Sequence, residues 1–328
     1  MSHLLDMTTG QAAIAYVGAT PWHGMGTVME PGQAIEDWAT QARMDWSAIK
    51  VPSGYKVGGE WVEEPGRFAV IRDDTFARLG TFTDRYKIVQ PMQILEFFRD
   101  FILTDDRFQL ETAGCLKGGA VVWGLAKFSE DMDVMGEKHC PYVMLTTSFD
   151  GTLATTAQAT MIRVVCNNTL TASLFAPDAA SIKVRHNTKW TESAQEKAHE
   201  QLETVAASYA QYSKLAESLA SIRMSRKQTE TFFASLLAGE VKEGEEMSKR
   251  KSNQIEALIN AYDVTEKEGT ERGNAWTAFN AVTRYVDHDR ATRRTVPGED
   301  DTQARMASSF FGSGSLIKAK ALDMLQAA

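Results

Sequence analysis

The sequence has little cysteine, and none of it is arranged in pairs. Cys115, Cys140 and Cys166 are an odd three at wide, irregular spacing. That argues against a disulfide framework and predicts a reducing, cytoplasmic setting. No stretch approaches the roughly 18 apolar residues needed to cross a bilayer, so no membrane partner is expected. The opening segment MSHLLDMTTGQAAIAYVG lacks a basic n-region and a clean cleavage site, which predicts no signal peptide. The six histidines (His3, His23, His139, His186, His199 and His288) never fall at HExxH spacing, and no CxxC occurs. No metal site is therefore expected. No Gly-Lys-Ser/Thr phosphate loop exists either, and no cofactor is expected. Positive charge is in deficit: the formal net charge is −8. A uniformly basic nucleic-acid binder is excluded, and local patches carry that question instead.

What is present is an ordinary globular composition, 43% apolar and 24% charged over 328 residues. Residues 1–50 read as irregular with short helices, including an amphipathic one over 33–43 through Ala34, Ile35, Trp38 and Ala42. From Val51 the signals turn to strand. Gly58-Gly59 separates two strand runs, Arg67–Arg72 alternates, and Arg78–Phe82 and Tyr86–Val89 follow. Pro91 suits the first position of a helix, PMQILEFFRDFIL. Phe108–Cys115 and Ala120–Phe128 flank a Lys117-Gly118-Gly119 turn, and Asp150-Gly151 folds Tyr142–Ser148 back onto Leu153–Val165. The sum is a mostly antiparallel region of about seven strands with one inserted helix. Cys166 to Phe175 reads as the start of a short helix and Ile182–Arg185 as one more strand. Beyond Trp190 the apolar spacing becomes helical, first for about thirty residues from Thr191, a length that suits a protruding hairpin or an oligomer contact. Ser225 caps the next helix. Further helices are expected at Ser252–Tyr262, Asn274–His288 and Leu316–Leu325. The fold class is α+β: a segment over 1–50, an antiparallel sheet core over 51–187 and a helical region over 188–328, continuous with the sheet or separate from it.

Two constellations carry chemistry. Arg163, Lys183, Arg185 and Lys189 form a basic, partly β surface with aromatic residues close in sequence, a pattern that fits phosphate contact and base stacking. On a helical projection of Asn274–His288, Trp276, Asn280, Thr283, Arg284, Asp287 and His288 fall opposite Phe279, Val282, Tyr285 and Val286. An aromatic ring beside an amide, arginine, aspartate and histidine can read a base or a phosphate; the commoner role for such a face is simple solvation. His23 sits in a Pro21–Gly26 loop, and Cys166 ends a β-run beside Arg163, but a buried free thiol is commoner than a reactive one. Gly312-Ser313-Gly314-Ser315 before the last helix reads as a linker more readily than as an anion cradle.

Taken in order, WHGMG (22–26), SFDG (148–151), RVVCNNTL (163–170) and NAVTRYVDH (280–288) resemble the phage/plasmid-like family catalogued as domain of unknown function 932, over roughly residues 15–325. The resemblance implies a mobile-element origin, hence the host cell cytoplasm, and supplies no catalytic residues. Three functions follow as expectations. The first is an oligomer that binds single-stranded DNA without catalysis, through Arg163, Lys183, Arg185, Lys189 and Arg284. The second is an enzyme acting on a nucleotide or nucleic acid, with His23, Asp150, Cys166, Asn168 and His288 converging on one cleft. The third is a host-interaction or counter-defence protein.

Overall fold

The computed structural model describes residues 6–7, 10–18, 26–104, 107–163, 168–171, 181–184, 209–238, 248–291, 308–309 and 312–327, with backbone alone at 101, 103–104, 162–163, 168–171, 181–184 and 238. Strands dominate the first half and helices the second, as the periodicities dictate. The strands build two sheets.

The large sheet runs β11-β10-β9-β7-β6-β1-β2. Its backbone is a meander: β6 (Phe108–Leu116), β7 (Val121–Phe128), β9 (Glu137–Ser148) and β10 (Thr155–Arg163), each antiparallel to the next. β8 (Met132–Val134) folds onto β9, and β11 (Asn168–Thr171) and β12 (Ser181–Val184) both pair with β10. At the other side β1 (Ile14–Val17) pairs with β6, and β2 (Thr27–Met29) lies parallel to β1. The segment expected to be irregular over 1–50 therefore contributes two strands to the main sheet. Alternation sorts the side chains. Val122, Val143, Leu145, Ala157, Ala159 and Met161 join the principal core, whereas Trp123, Leu125, Tyr142 and Met144 face a second apolar cluster.

The small sheet is β3 (Ala48–Val57), β4 (Glu60–Arg72) and β5 (Arg78–Thr83), in that order. Its tip is a two-residue turn at Gly58 and Gly59, whose φ values of 59° and 93° are the reason glycine stands at both positions. Tyr86 to Val89 is not a strand. Tyr86 instead donates its hydroxyl to the Ser148 carbonyl, and its own carbonyl accepts from Lys50. Side-chain anchoring has replaced a ladder there. Arg72, on the inner side of the small sheet, is buried against Asp6, Asp74 and the Trp46 ring and locks the two sheets together.

α1 (Ile35–Gln41) packs on α2 (Pro91–Thr104), and α2 lies on β6, β7 and β9. Residues 209–221 form α3. Ser225 then caps α4 (Arg226–Ala238), its backbone N–H donating to Gln228 Oε1 at 2.9 Å. α5 (Lys249–Glu268), α6 (Ala275–Arg284) and α7 (Ser313–Gln326) complete the helical half. α6 is its hub. It touches α5, α7 and β11, and Ala275 to Thr283 are all buried. After Arg284 the helix widens into one π turn, Tyr285–Asp289. The short helix expected from Cys166 is overturned: 168–171 is strand β11, because its backbone groups find partners on β10.

Candidate functional site

The register of β10 decides which predicted residues meet. Arg163 lies opposite His139 on β9 and opposite Asn168 on β11. α6, which carries Asn280 and Arg284 and leads to His288, packs against β11. The segments RVVCNNTL and NAVTRYVDH, far apart in sequence, are thus neighbours at one end of the large sheet. Lys183 is opposite Thr156. Positions 156 and 163 are roughly 23 Å apart along an extended strand. Asp150 belongs to the Lys183 end, in the turn that leads into β10; its carboxylate accepts from the Thr152 N–H at 2.9 Å and the Thr152 hydroxyl at 2.5 Å. In the ladder, position 163 therefore lies at one end of β10, and position 183 and Asp150 at the other. His23, Cys166, Arg185 and Lys189 lie outside the described residues.

The meeting place is polar although it is buried. His139 is fully buried, and its Nδ1 is 2.8 Å from the Tyr212 hydroxyl on α3. Its Nε2 stands 4.0 Å from Glu137 Oε2, while Glu137 Oε1 accepts from the Thr270 N–H at 2.8 Å. Trp276 lies across both rings, 6.3 Å from the His139 centroid and 5.9 Å from that of Tyr212. On α6 the Asn280 amide donates to the Trp276 carbonyl, and the Thr283 hydroxyl to that of Asn280. The helical projection reads this side as solvated, with Trp276 buried at its edge; Trp276, Asn280 and Thr283 are all buried, with Trp276 against His139 and Tyr212 and α6 packed on α5, α7 and β11. Arg284 keeps 22% side-chain exposure and donates to Glu268 at 2.8 Å. His288 is half-buried, and its neighbour Asp287 pairs with Lys318 at 2.6 Å.

Sequence reasoning missed Glu137, His139 and Tyr212 as partners. A signal did exist. Glu137 and His139 sit two apart in strand β9, on the same side as Val143 and Leu145, so the alternation itself buries a carboxylate and an imidazole together.

A second polar group lies on the opposite sheet face. Glu111 falls at the irregularity between Leu110 and Thr112, a bulge that re-aims a side chain. Burial raises its carboxyl above the ordinary glutamate value against the lowering effect of the Tyr142 hydroxyl. The Cys140 thiol donates to Asp131 at 3.1 Å and is pushed up to about 11, chiefly by burial. Burial also raises the Cys115 thiol. Neither is a thiolate at neutral pH, so neither is an activated nucleophile. Among the described residues no group of His, Cys, Asp and Glu is arranged to hold a metal ion, and no helix is long and apolar enough to cross a membrane.

Comparison with curated proteins and with solved structures returns no match. The family model described as Domain of unknown function (DUF932) matches residues 78–310, which include β9, β10, β11 and α6. With well over half of its length matched, the chain belongs to the DUF932 family.

Proposed function

We propose that the chain binds single-stranded nucleic acid as an oligomer and performs no chemistry on it, with the contact on the surface beside the buried place where β10, β11 and α6 meet. One observation carries this reading: the cross-strand row of Arg163, His139 and Asn168 abuts the helix that leads to Arg284 and His288, within the family-matched region. Arginine pairs with phosphate through a planar fork, and such contacts weaken as salt rises because counterions are released. Arg284 is held by a carboxylate at the surface, which a phosphate can replace. His139 has no surface and is committed to Tyr212, so it orders the centre rather than trades protons with a substrate. The mobile-element character implied by the sequence resemblance suits a protein that handles DNA.

The test is fluorescence anisotropy of a labelled oligonucleotide across a salt series. Arg163→Ala and Arg284→Ala are expected to weaken binding by about tenfold each and to lower the salt slope by about one per lost phosphate contact. Lys183→Ala, at the far end of β10, is expected to change it less. Binding by Arg163→Ala equal to that of the unaltered chain sinks the proposal, as does the absence of salt-dependent binding.

The packing of β11 on α6 also favours a second reading, an enzyme that acts on a nucleotide in a cleft beside Asn168 and His288. Turnover of nucleotides or oligonucleotides that is lost in His288→Ala supports it; no turnover by the unaltered chain excludes it.

A further inference from the structure

The nucleic-acid reading leaves a second group of cations unused, where α5 begins. Lys249, Arg250 and Lys251 fill the first turn of that helix, which contains no acid, and all three are exposed. Cations suit the C-terminal end of a helix, where the macrodipole is negative; here they stand at the positive end and repel one another. Their placement therefore works against the helix that carries them. Nor does it serve ion pairs: among the described residues neither Lys249 nor Arg250 has a carboxylate partner. A further cation joins them from another element. Both α5 and α7 pack on the π turn Tyr285–Asp289. Arg290 ends that turn, its N–H donating to the Tyr285 carbonyl at 2.7 Å. Its guanidinium donates to the Ser313 hydroxyl at 3.1 Å and the Ser308 hydroxyl at 3.4 Å. The Tyr285 hydroxyl registers the charges around it. Burial raises its pKa, the Arg290 charge lowers it, Asp289 raises it, and Arg250 lowers it again. Arg250 and Arg290, from two elements, thus act on one phenol.

The balance of charge selects the partner. Asp287 of the π turn is taken by Lys318 at 2.6 Å. Among the described residues, Lys249, Arg250, Lys251 and Arg290 then stand against Asp289; Glu243, Glu245 and Glu246 precede α5 in the sequence, outside those residues. In a chain of formal net charge −8, a local positive surplus draws a polyanion to that place and away from the rest of the surface. Two guanidiniums supply forks that match phosphate oxygens, and serine hydroxyls are ordinary phosphate donors. Residues 248–253 are all polar and offer nothing apolar to enter a bilayer. We infer that Lys249, Arg250, Lys251 and Arg290 form a second phosphate-contact surface for the bound strand. Arg290 is six residues beyond Arg284, roughly 9 Å along a helix axis, so one strand reaches both surfaces. The inference rests on the nucleic-acid reading and adds to it where the strand goes next.

The experiment is anisotropy of a labelled single-stranded oligonucleotide across a salt series, with the full chain and two variants of equal charge change. Arg250→Glu strikes the surface, and Lys56→Glu lies on the small sheet. An acid suits the first turn of α5, so a melting temperature that is not lowered shows that Arg250→Glu is folded. Arg250→Glu is expected to weaken binding by about tenfold and to lower the salt slope by about one, with Lys56→Glu unchanged. If Arg250→Glu fails to fold, Lys249→Gln carries the same test, with an expected loss of about threefold. A folded variant of the surface that binds as the unaltered chain does overturns the inference. So does an equal loss in Lys56→Glu, which would assign the effect to net charge. Poly-glutamate that displaces the oligonucleotide at equal charge concentration overturns it in favour of an acidic protein partner. Loss in Arg250→Glu beside full binding by Arg163→Ala and Arg284→Ala keeps this surface and rejects the contact beside β11. The reverse pattern rejects this surface alone, and no binding by any form rejects both.

Discussion

Glu111 shows how one residue takes its properties from the backbone beneath it. The bulge in β6 turns its carboxyl toward Tyr142 and out of water, and desolvation then holds the proton more tightly than in the unfolded chain. The sign of the linkage follows. A carboxyl with a raised folded-state value favours folding fully below its unfolded value near 4.5, and that benefit is lost as pH rises through the raised value. Glu111→Gln keeps an acceptor for Tyr142 and carries no charge. Its melting temperature is expected to exceed that of the unaltered chain at pH 7 to 8, with the difference shrinking toward pH 4. A constant difference over that range rules out the desolvated carboxylate as its cause.

Among the elements, α2 and β7 meet tightly. A Cβ placed on Gly124 would stand 2.5 Å from Cε2 of Phe98, a fully buried ring. Gly124→Ala therefore forces the helix away from the sheet. It is expected to lower the urea midpoint by an amount equivalent to about 1–3 kcal/mol, without changing the slope. This element was legible in the sequence: Pro91 sets its start, and Ile94, Leu95 and Phe98 give it one apolar side. The hairpins at Gly58-Gly59 and Asp150-Gly151 were legible for the same reason, since turn chemistry is local. β11 was not. Asn-Asn-Thr has cap and turn preferences, and only the free edge of β10 makes that stretch a strand. Nor was the burial of α6, since a helical projection shows which residues share a side and not how many neighbours the helix has. The juxtaposition of Arg163, His139 and Asn168 depends on strand register, which no local signal fixes.

For the whole molecule, the large sheet is closed by residues from opposite ends of its span. β1 lies inside it, between β6 and β2, and Asp6 just before it is sealed by Arg72 of the small sheet. Removing residues 1–17 takes out an interior strand and leaves a buried guanidinium short of a carboxylate. The shortened chain is expected to lose cooperative unfolding in urea, which circular dichroism measures. A sharp transition at the original midpoint would show that β1 is dispensable.

The pairing of Ile14 with Gly114 also sets a clock. At synthesis rates of about 5–20 residues per second, β1 leaves the ribosome some 5–20 s before its partner strand exists. Its run of Ile-Ala-Tyr-Val must stay soluble through that wait. Slow translation across the first hundred codons lengthens the exposure, and a chaperone that holds extended apolar segments shortens its cost. The yield of folded protein is thus set partly by the timing of its own manufacture.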